Sequence, residues 1–217
     1  MKNNPLISII MNCYNGEEFL KYSIESVIAQ TYKNWELIFW DNKSTDNSSK
    51  ILKKYKDKRI KYFYAKKNTT LYEARNLAIK KSKGKFIGFL DVDDFWTKSK
   101  LELQVPYFQE KKVGLVYSNF YKFYKNKKKL AFKNDLPYGK VTSQIIKNYQ
   151  IGILTVLLRS SFLNKNKLFN FKYDLLSDFD FILHFSQKHI FKVVDRPLAF
   201  YRIHENQLQK KKMILQA

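Results

Sequence analysis

Phe86-Ile87-Gly88-Phe89-Leu90-Asp91-Val92-Asp93-Asp94 runs an apolar stretch straight into three carboxylates packed within four residues. Bounded upstream by Gly84, the apolar part reads as a buried strand, and in open α/β sheets ligands gather outside the carboxyl ends of such strands. Carboxylates that close together repel one another, so a positive group is expected to hold them. Hard divalent metals prefer oxygen ligands, and Mg2+ typically binds through one or two carboxylates plus substrate phosphates. The stretch therefore points to a metal-bound nucleotide. A solvated turn after the strand is the alternative, since Asp is common in turns.

Upstream of this strand the chain alternates. Leu6 to Met11 reads as a strand, and Asn15 with Glu18 as a capping box opening a helix to about Gln30. Trp35 to Trp40 is a second strand ending at Asp41, and Ser44-Thr45-Asp46 caps a helix carrying Ile51 and Leu52. Ile60 to Ala65 and Leu71 to Ser82 supply a third strand and a third helix. Such alternation favours a mostly parallel sheet with helices on both faces.

Downstream the rhythm loosens. Leu101 to Glu110 reads as a helix, Val113 to Phe120 as a strand, and the lysine-and-aromatic run Tyr121 to Lys133 as an edge ribbon or a surface excursion. Ile151 to Leu158 is strand-like, Asp178 to Gln187 helical, and Phe191 to Val194 and Ala199 to Ile203 are short strands. Four Pro, six Gly and no linker-like stretch favour one domain over residues 1–217.

With 217 residues, 45% hydrophobic and 17% aromatic, the chain is a folded globule rather than a disordered one. Its net charge of +22 suits anionic partners in general: nucleic acid, lipid surfaces and phosphorylated substrates. Of the 41 basic residues only five are Arg, whereas base readout favours the planar Arg fork, so nucleic acid is not the expected partner. Cys13 is the only cysteine, which excludes an intramolecular disulfide and suits a reducing compartment. No apolar run has the length of a signal peptide or spanning helix, so a cytoplasmic placement is expected, with peripheral contact at the inner membrane face as a further candidate.

Ser8-Ile9-Ile10-Met11-Asn12-Cys13-Tyr14-Asn15, Ser26 to Tyr32, Trp40 to Asp46, Glu73-Ala74-Arg75-Asn76 and Gly84 to Asp94 follow in an order that resembles a family 2 glycosyltransferase of the GT-A fold. The resemblance covers about the first half of the chain. It implies an α/β, Rossmann-like sandwich: a mostly parallel central sheet flanked by helices, with a smaller acceptor-side β/α portion in the second half. Residues 1–96 would then be the nucleotide-sugar-binding half and 97–217 the acceptor-binding half. The implied activity is inverting sugar transfer from a nucleotide donor, usually uridine diphosphate-linked, with a divalent metal, Mn2+ or Mg2+, on the diphosphate. Acceptors in such a family are often envelope glycans or lipid-linked glycans.

Each residue that carries the resemblance also has a physical reading. Tyr14 offers a ring for stacking on a base, or a core tyrosine. Asp41 and Asn42 end the second strand within reach of base or ribose; the family pattern there is commonly two acids, and Asn42 keeps only a carbonyl acceptor for the uracil imide. Arg75, at the opening of the third helix, suits a diphosphate or base contact, with an ion pair inside the protein as the alternative. By resemblance Asp91 contacts the ribose or a metal-bound water and Asp93 ligates the metal, while Asp94 does either or caps the next helix. In Leu175-Leu176-Ser177-Asp178-Phe179-Asp180-Phe181, Ser177 replaces the family's usual Glu, and Asp178 holds the position of the catalytic base. Asp180, two residues along the same helix, should point elsewhere. Tyr201-Arg202-Ile203-His204 resembles a late family element in which His204 is a metal ligand and Arg202 neutralises the departing diphosphate.

Rival functions remain at this level: a basic nucleic-acid or membrane-binding module with a structural acidic cluster, or a two-metal phosphoryl enzyme. The lysine run Lys122 to Lys133, interleaved with Phe123, Tyr124 and Phe132, makes an anionic membrane surface a further candidate partner. Gln207 to Ala217 reads as a frayed tail in preference to a short amphipathic helix.

Overall fold

The computed structural model describes residues 4–164, 168–205 and 207. Strand β1 (Ile7–Cys13) lies at the centre of a parallel block, flanked by β2 (Trp35–Asp41) and β4 (Phe86–Phe89), with β3 (Ile60–Tyr64) outside β2. Period-two alternation divides the apolar residues of β1 between two cores. Ile7, Ile9 and Met11 pack with Leu20, Ile24 and Val27 of helix α1 (Leu20–Ile28) and with Leu52 of α2 (Ser48–Lys53). Ile10 faces the other way, with Ala74 and Ala78 of α3 (Leu71–Ile79). Because both faces of β1 and β2 are covered, every residue of these strands is buried, and they read as continuous apolar runs.

The sheet continues into the second half but changes character. Beyond β4, β8 (Leu157–Arg159) runs antiparallel and is followed by β6 (Val113–Tyr124), β9 (Ile190–Arg202) and the short β5 (Phe95–Trp96). β6 and β9 are parallel, and β7 (Lys127–Leu130) folds back on β6 as an antiparallel hairpin. The parallel block expected from the first half is present, and the sheet as a whole is mixed. Helix α4 (Lys100–Gln104) joins the first core through Leu101, while α5 (Thr142–Lys147) and α6 (Ser177–Ser186) cover the second through Ile145, Phe181 and Ile182. Among the described residues no helix is long and apolar enough to cross a membrane.

Several local expectations are corrected. Asn15 and Glu18 form no capping box: α1 starts at Leu20, and Asn15 is a turn residue at φ 52° whose Oδ1 accepts the Thr45 amide at 2.8 Å. A hydrogen bond to the neighbouring loop has replaced the local cap. Of Ser44-Thr45-Asp46 only Asp46 serves the start of α2, its Oδ1 accepting the Ser48 amide at 3.0 Å. The predicted helix over Leu101 to Glu110 is α4 followed by a 3₁₀ turn at Val105–Gln109, with Pro106 inside it. Ile151 to Leu158 contains a 3₁₀ turn at Ile153–Thr155 and only its last two residues are strand, the start of β8, and the two short late strands are one, β9. Of the predicted tail, 208–217 lie outside the described residues.

Candidate active site

The acidic motif sits in a turn after β4 closed by the Asp94 amide donating to the Asp91 carbonyl at 3.1 Å. Ser23 of α1 fixes this turn, its hydroxyl 2.6 Å from the carbonyls of both Val92 and Asp94. Gly16 completes the packing: a Cβ there would lie 2.8 Å from Val92 Cγ2. The positive groups that the clustered carboxylates demand come in part from the protein itself. Asp91 Oδ1 accepts Arg75 Nη2 at 2.8 Å, Asp93 Oδ2 lies 3.0 Å from His204 Nε2, and Asp94 Oδ1 accepts the Arg202 amide at 2.9 Å.

These ties divide the roles of the three acids. Asp94 is fully enclosed, and burial, with Asp93 and Asp91 nearby, pushes its carboxyl well above the usual range. It anchors the end of β9 and caps no helix. Asp93 keeps a quarter-exposed side chain against His204, while its carbonyl accepts Arg202 Nε at 2.9 Å. Burial raises the Asp91 carboxyl, opposed by the Arg75 guanidinium. Asp91 thus has one oxygen engaged by Arg75.

Among the described residues no group of three or more His, Cys, Asp or Glu side chains is arranged to hold a metal ion. The Asp93–His204 pair offers one carboxylate and one imidazole. That donor set fits an ion that completes its shell with diphosphate and water, the usual habit of Mg2+ and its relatives. His204 Nδ1 is buried without a hydrogen-bond partner, and its ring packs at 4.8 Å on Phe19.

Arg75 is 2% exposed, lies among the rings of Tyr72, Phe89 and Phe169 at 5.2–5.7 Å, and donates to Asp91. It forms the internal ion pair that the sequence offered as the alternative to a nucleotide contact. Asp178, at the start of α6, falls within its field: burial raises the Asp178 carboxyl, while Arg75 and a hydrogen bond from Tyr72 lower it. Asp180 turns away, with Oδ1 3.2 Å from His184 Nδ1 one turn along the helix.

Two residues that the sequence reading left without a role bring Asp178 to this place. Asn76 clamps the backbone of Phe169, its Nδ2 donating to the carbonyl at 2.7 Å and its Oδ1 accepting the amide at 3.1 Å. Ser177 Oγ donates to the Asn170 carbonyl at 2.9 Å, fixing the start of α6 to that segment. The signal for Asn76 was its place beside Arg75 on one turn of α3. Its partner is 93 residues away and invisible to any local pattern.

Asp41 and Asn42 are also spoken for. Asp41 accepts the Ser44 amide at 2.7 Å and the Tyr62 hydroxyl at 2.9 Å. Asn42 Oδ1 accepts both the amide and hydroxyl of Thr69, and its Nδ2 donates to the Thr69 carbonyl at 2.8 Å. Both side chains hold loops in place, and the Asn42 acceptor assigned to a base is already filled. Tyr14, by contrast, is 57% exposed at the end of β1, with a free face. A cavity of about 360 Å³ opens beside the metal-suited pair, walled by Phe19, Phe123, Lys125, Arg202 and His204 among others.

Residues 8–174 match the model of the family described as Glycosyl transferase family 2. The chain belongs to glycosyl transferase family 2. The match ends four residues before Asp178 and well before Arg202 and His204, so those assignments rest on the geometry above and on the resemblance. A relative in Escherichia coli, UDP-Glc:alpha-D-GlcNAc-diphosphoundecaprenol beta-1,3-glucosyltransferase WfgD, is 38% identical to this family 2 chain over 159 residues, covering 73% of it and 62% of the relative. The chain spans about three fifths of the length of this relative. S. aureus TarS, solved in complex with UDP, superposes with a TM-score of 0.77 at 21% identity, covering 92% of this chain and 61% of that one. Mannosyltransferase PcManGT from Pyrobaculum calidifontis, in complex with GDP-Man and Mn2+, gives 0.75 at 12% identity, covering 98% and 61%. These two likenesses establish a GT-A fold.

Proposed function

We propose that this family 2 chain is an inverting glycosyltransferase that moves a sugar from a nucleoside diphosphate donor, a UDP-sugar, to a hydroxyl of a glycan or lipid-linked acceptor. Its setting would be bacterial surface polysaccharide, lipooligosaccharide or lipid-linked glycan synthesis, on the cytoplasmic side of the membrane. The observation that carries this reading is the convergence of Asp178 and the Asp93–His204 pair on one ion pair, Arg75–Asp91, at the carboxyl end of the parallel block. The named activity of WfgD and the UDP in the TarS complex support the donor class. On this reading residues 1–96 hold the donor and 97–217 the acceptor.

Asp178 would take the proton from the acceptor hydroxyl as its oxygen attacks the anomeric carbon, while the bond from that carbon to the diphosphate oxygen breaks on the opposite face. Attack from the far side inverts the configuration. The Phe179 amide holds the base in place, and the Arg75 charge favours its ionised form against the effect of burial. Arg202, with its Nε anchored on the Asp93 carbonyl and its guanidinium among the rings of Phe19, Tyr22, Phe95 and Phe123, would offset the negative charge of the leaving group. Asp93 and His204 would hold Mn2+ or Mg2+, which when bound supplies Lewis-acid compensation of the diphosphate charge. The PcManGT complex, with its Mn2+, supports that choice of ion. Tyr14 would stack on the base.

The reading is tested by incubating the protein with Mn2+, a panel of nucleotide sugars and a mixed glycan and lipid-linked acceptor set. Release of the nucleoside diphosphate from a UDP-sugar is expected, and no release from any donor overturns it. A finer expectation concerns pH. The base acts only when ionised, so activity is present above its pKa and lost as pH falls through it. Burial raises that pKa, placing the acid limb of kcat/KM above the ordinary carboxylate value of about 4. Tyr72 is among the groups that lower it, behind Arg75, so Tyr72→Phe moves the limb slightly to higher pH while keeping the ring against Arg75. A pH–rate profile checks this, and an unchanged limb removes Tyr72 from the role.

A further inference from the structure

The hairpin formed by β6 and β7 concentrates positive charge in a way that the fold itself does not reward. Tyr124 and Lys127 are joined by two residues, Lys125 at φ 45° and Asn126 at φ 62°, the pattern of a type I′ turn, in which Gly is strongly favoured and a Lys is strained. Lys122 and Lys129 stand directly opposite each other across the two strands, an arrangement of like charges that destabilises a sheet. Lys122, Lys125, Lys127, Lys128 and Lys129 are all exposed, and the sequence from Val113 to Asn134 contains no acidic residue to relieve them. Exposed Tyr124 and Leu130 stand among them.

The base of this hairpin is rigid. Tyr121 and Phe123 pack on Phe200 at 5.3 and 6.3 Å, Phe200 stacks on Phe95 at 4.5 Å, and Arg202 lies 5.3 Å from the Phe123 ring. The hairpin is therefore a firm projection whose tip is charged and lightly apolar. Lysines on an edge strand do block strand-to-strand aggregation, and that purpose accounts for part of Lys127–Lys129. It does not account for Lys122 on the inner strand, for a lysine forced into a left-handed turn, or for Tyr124. The other side of the problem is location: Phe123, Tyr124, Lys125 and Asn126 form one wall of the cavity beside His204. Glu18 and Glu205 also line that cavity.

We propose that the β6–β7 hairpin docks on an anionic lipid bilayer through the face that carries Lys122, Lys127 and Lys129, with these lysines among the headgroups and Tyr124, on the same face beside the turn, at the interface. Negative headgroups relieve the Lys122–Lys129 repulsion, and an aromatic ring with a polar tip suits the headgroup level. Docked in this way, the cavity beside His204 opens at the lipid surface. The proposal rests on the glycosyltransferase reading only for what that opening is for, namely access to an acceptor carried by the membrane.

The test is co-sedimentation with vesicles of phosphatidylcholine alone and of phosphatidylcholine mixed with phosphatidylglycerol. The protein should bind the mixed vesicles, lose that binding at high salt, and ignore the neutral ones. At about fivefold per lysine, the variant Lys122→Gln/Lys127→Gln/Lys129→Gln should bind about a hundredfold more weakly. The equal-charge control Lys53→Gln/Lys54→Gln/Lys56→Gln, on exposed positions at and after α2, should bind like the parent. Loss of binding in both variants alike, or no binding by the parent, overturns the proposal. So does a hairpin variant that keeps vesicle binding but loses affinity for single-stranded RNA. Thermal stabilisation by UDP, measured on all three proteins, separates the two readings: its absence from the parent counts against the enzyme assignment and leaves the docking result standing.

Discussion

Asp178→Asn lowers the rate of sugar transfer by about 10²–10⁴-fold, the range over which a positioned general base contributes. The substitution leaves the shape of the site intact. Asp178 Oδ1 accepts the amide of its own neighbour Phe179 at 2.8 Å, and an Asn carbonyl can accept the same bond. Burial already disfavours the ionised carboxylate, so a neutral amide removes a desolvation penalty along with the attraction to Arg75. Thermal unfolding should therefore stay close to the parent, and UDP binding should persist. Steady-state kinetics with the preferred donor checks the loss. Parent-like turnover with Asp178→Asn, or loss of turnover only in Asp180→Asn, would hand the base role to another group.

Asp93→Asn produces the second large effect, a loss of about 10²–10³-fold in transfer, because it weakens the carboxylate that would hold the metal and with it the compensation of leaving-group charge. The fold has little reason to notice. The bond that anchors Arg202 uses the Asp93 carbonyl, which the substitution keeps, and an amide can still pair with His204 across the 3.0 Å contact. Raising Mn2+ should recover part of the rate in Asp93→Asn and none in Asp178→Asn, since only the first defect lies in metal affinity. Equal insensitivity of the two variants to Mn2+ would separate Asp93 from the metal.

The parallel block was legible because its strands are buried on both faces, so apolar runs ending in Asp41 and Asp91 marked both the strands and the edge where ligands gather. Asp93, Asp178 and His204 could be singled out by their place in motifs. What local pattern did not show is the long-range partner each of several side chains takes. Asn15 left its helix cap for Thr45, Asn42 closed on Thr69, and Arg75 turned inward to Asp91. Tyr72 and Asn76 escaped notice for the same reason: each matters through segments that only the fold brings close. The irregular stretch before β8 misled because an apolar run too short to show a period reads equally as strand or turn.

The central claim is that a metal-bound nucleoside diphosphate sits against Asp93. Calorimetric titration of UDP into the parent protein and into Asp93→Asn, with and without Mn2+, tests it most directly. Tighter UDP binding with Mn2+ in the parent, with that gain lost in Asp93→Asn, is the result predicted here. UDP binding that is indifferent to Mn2+, or equally enhanced by it in both proteins, would contradict the account.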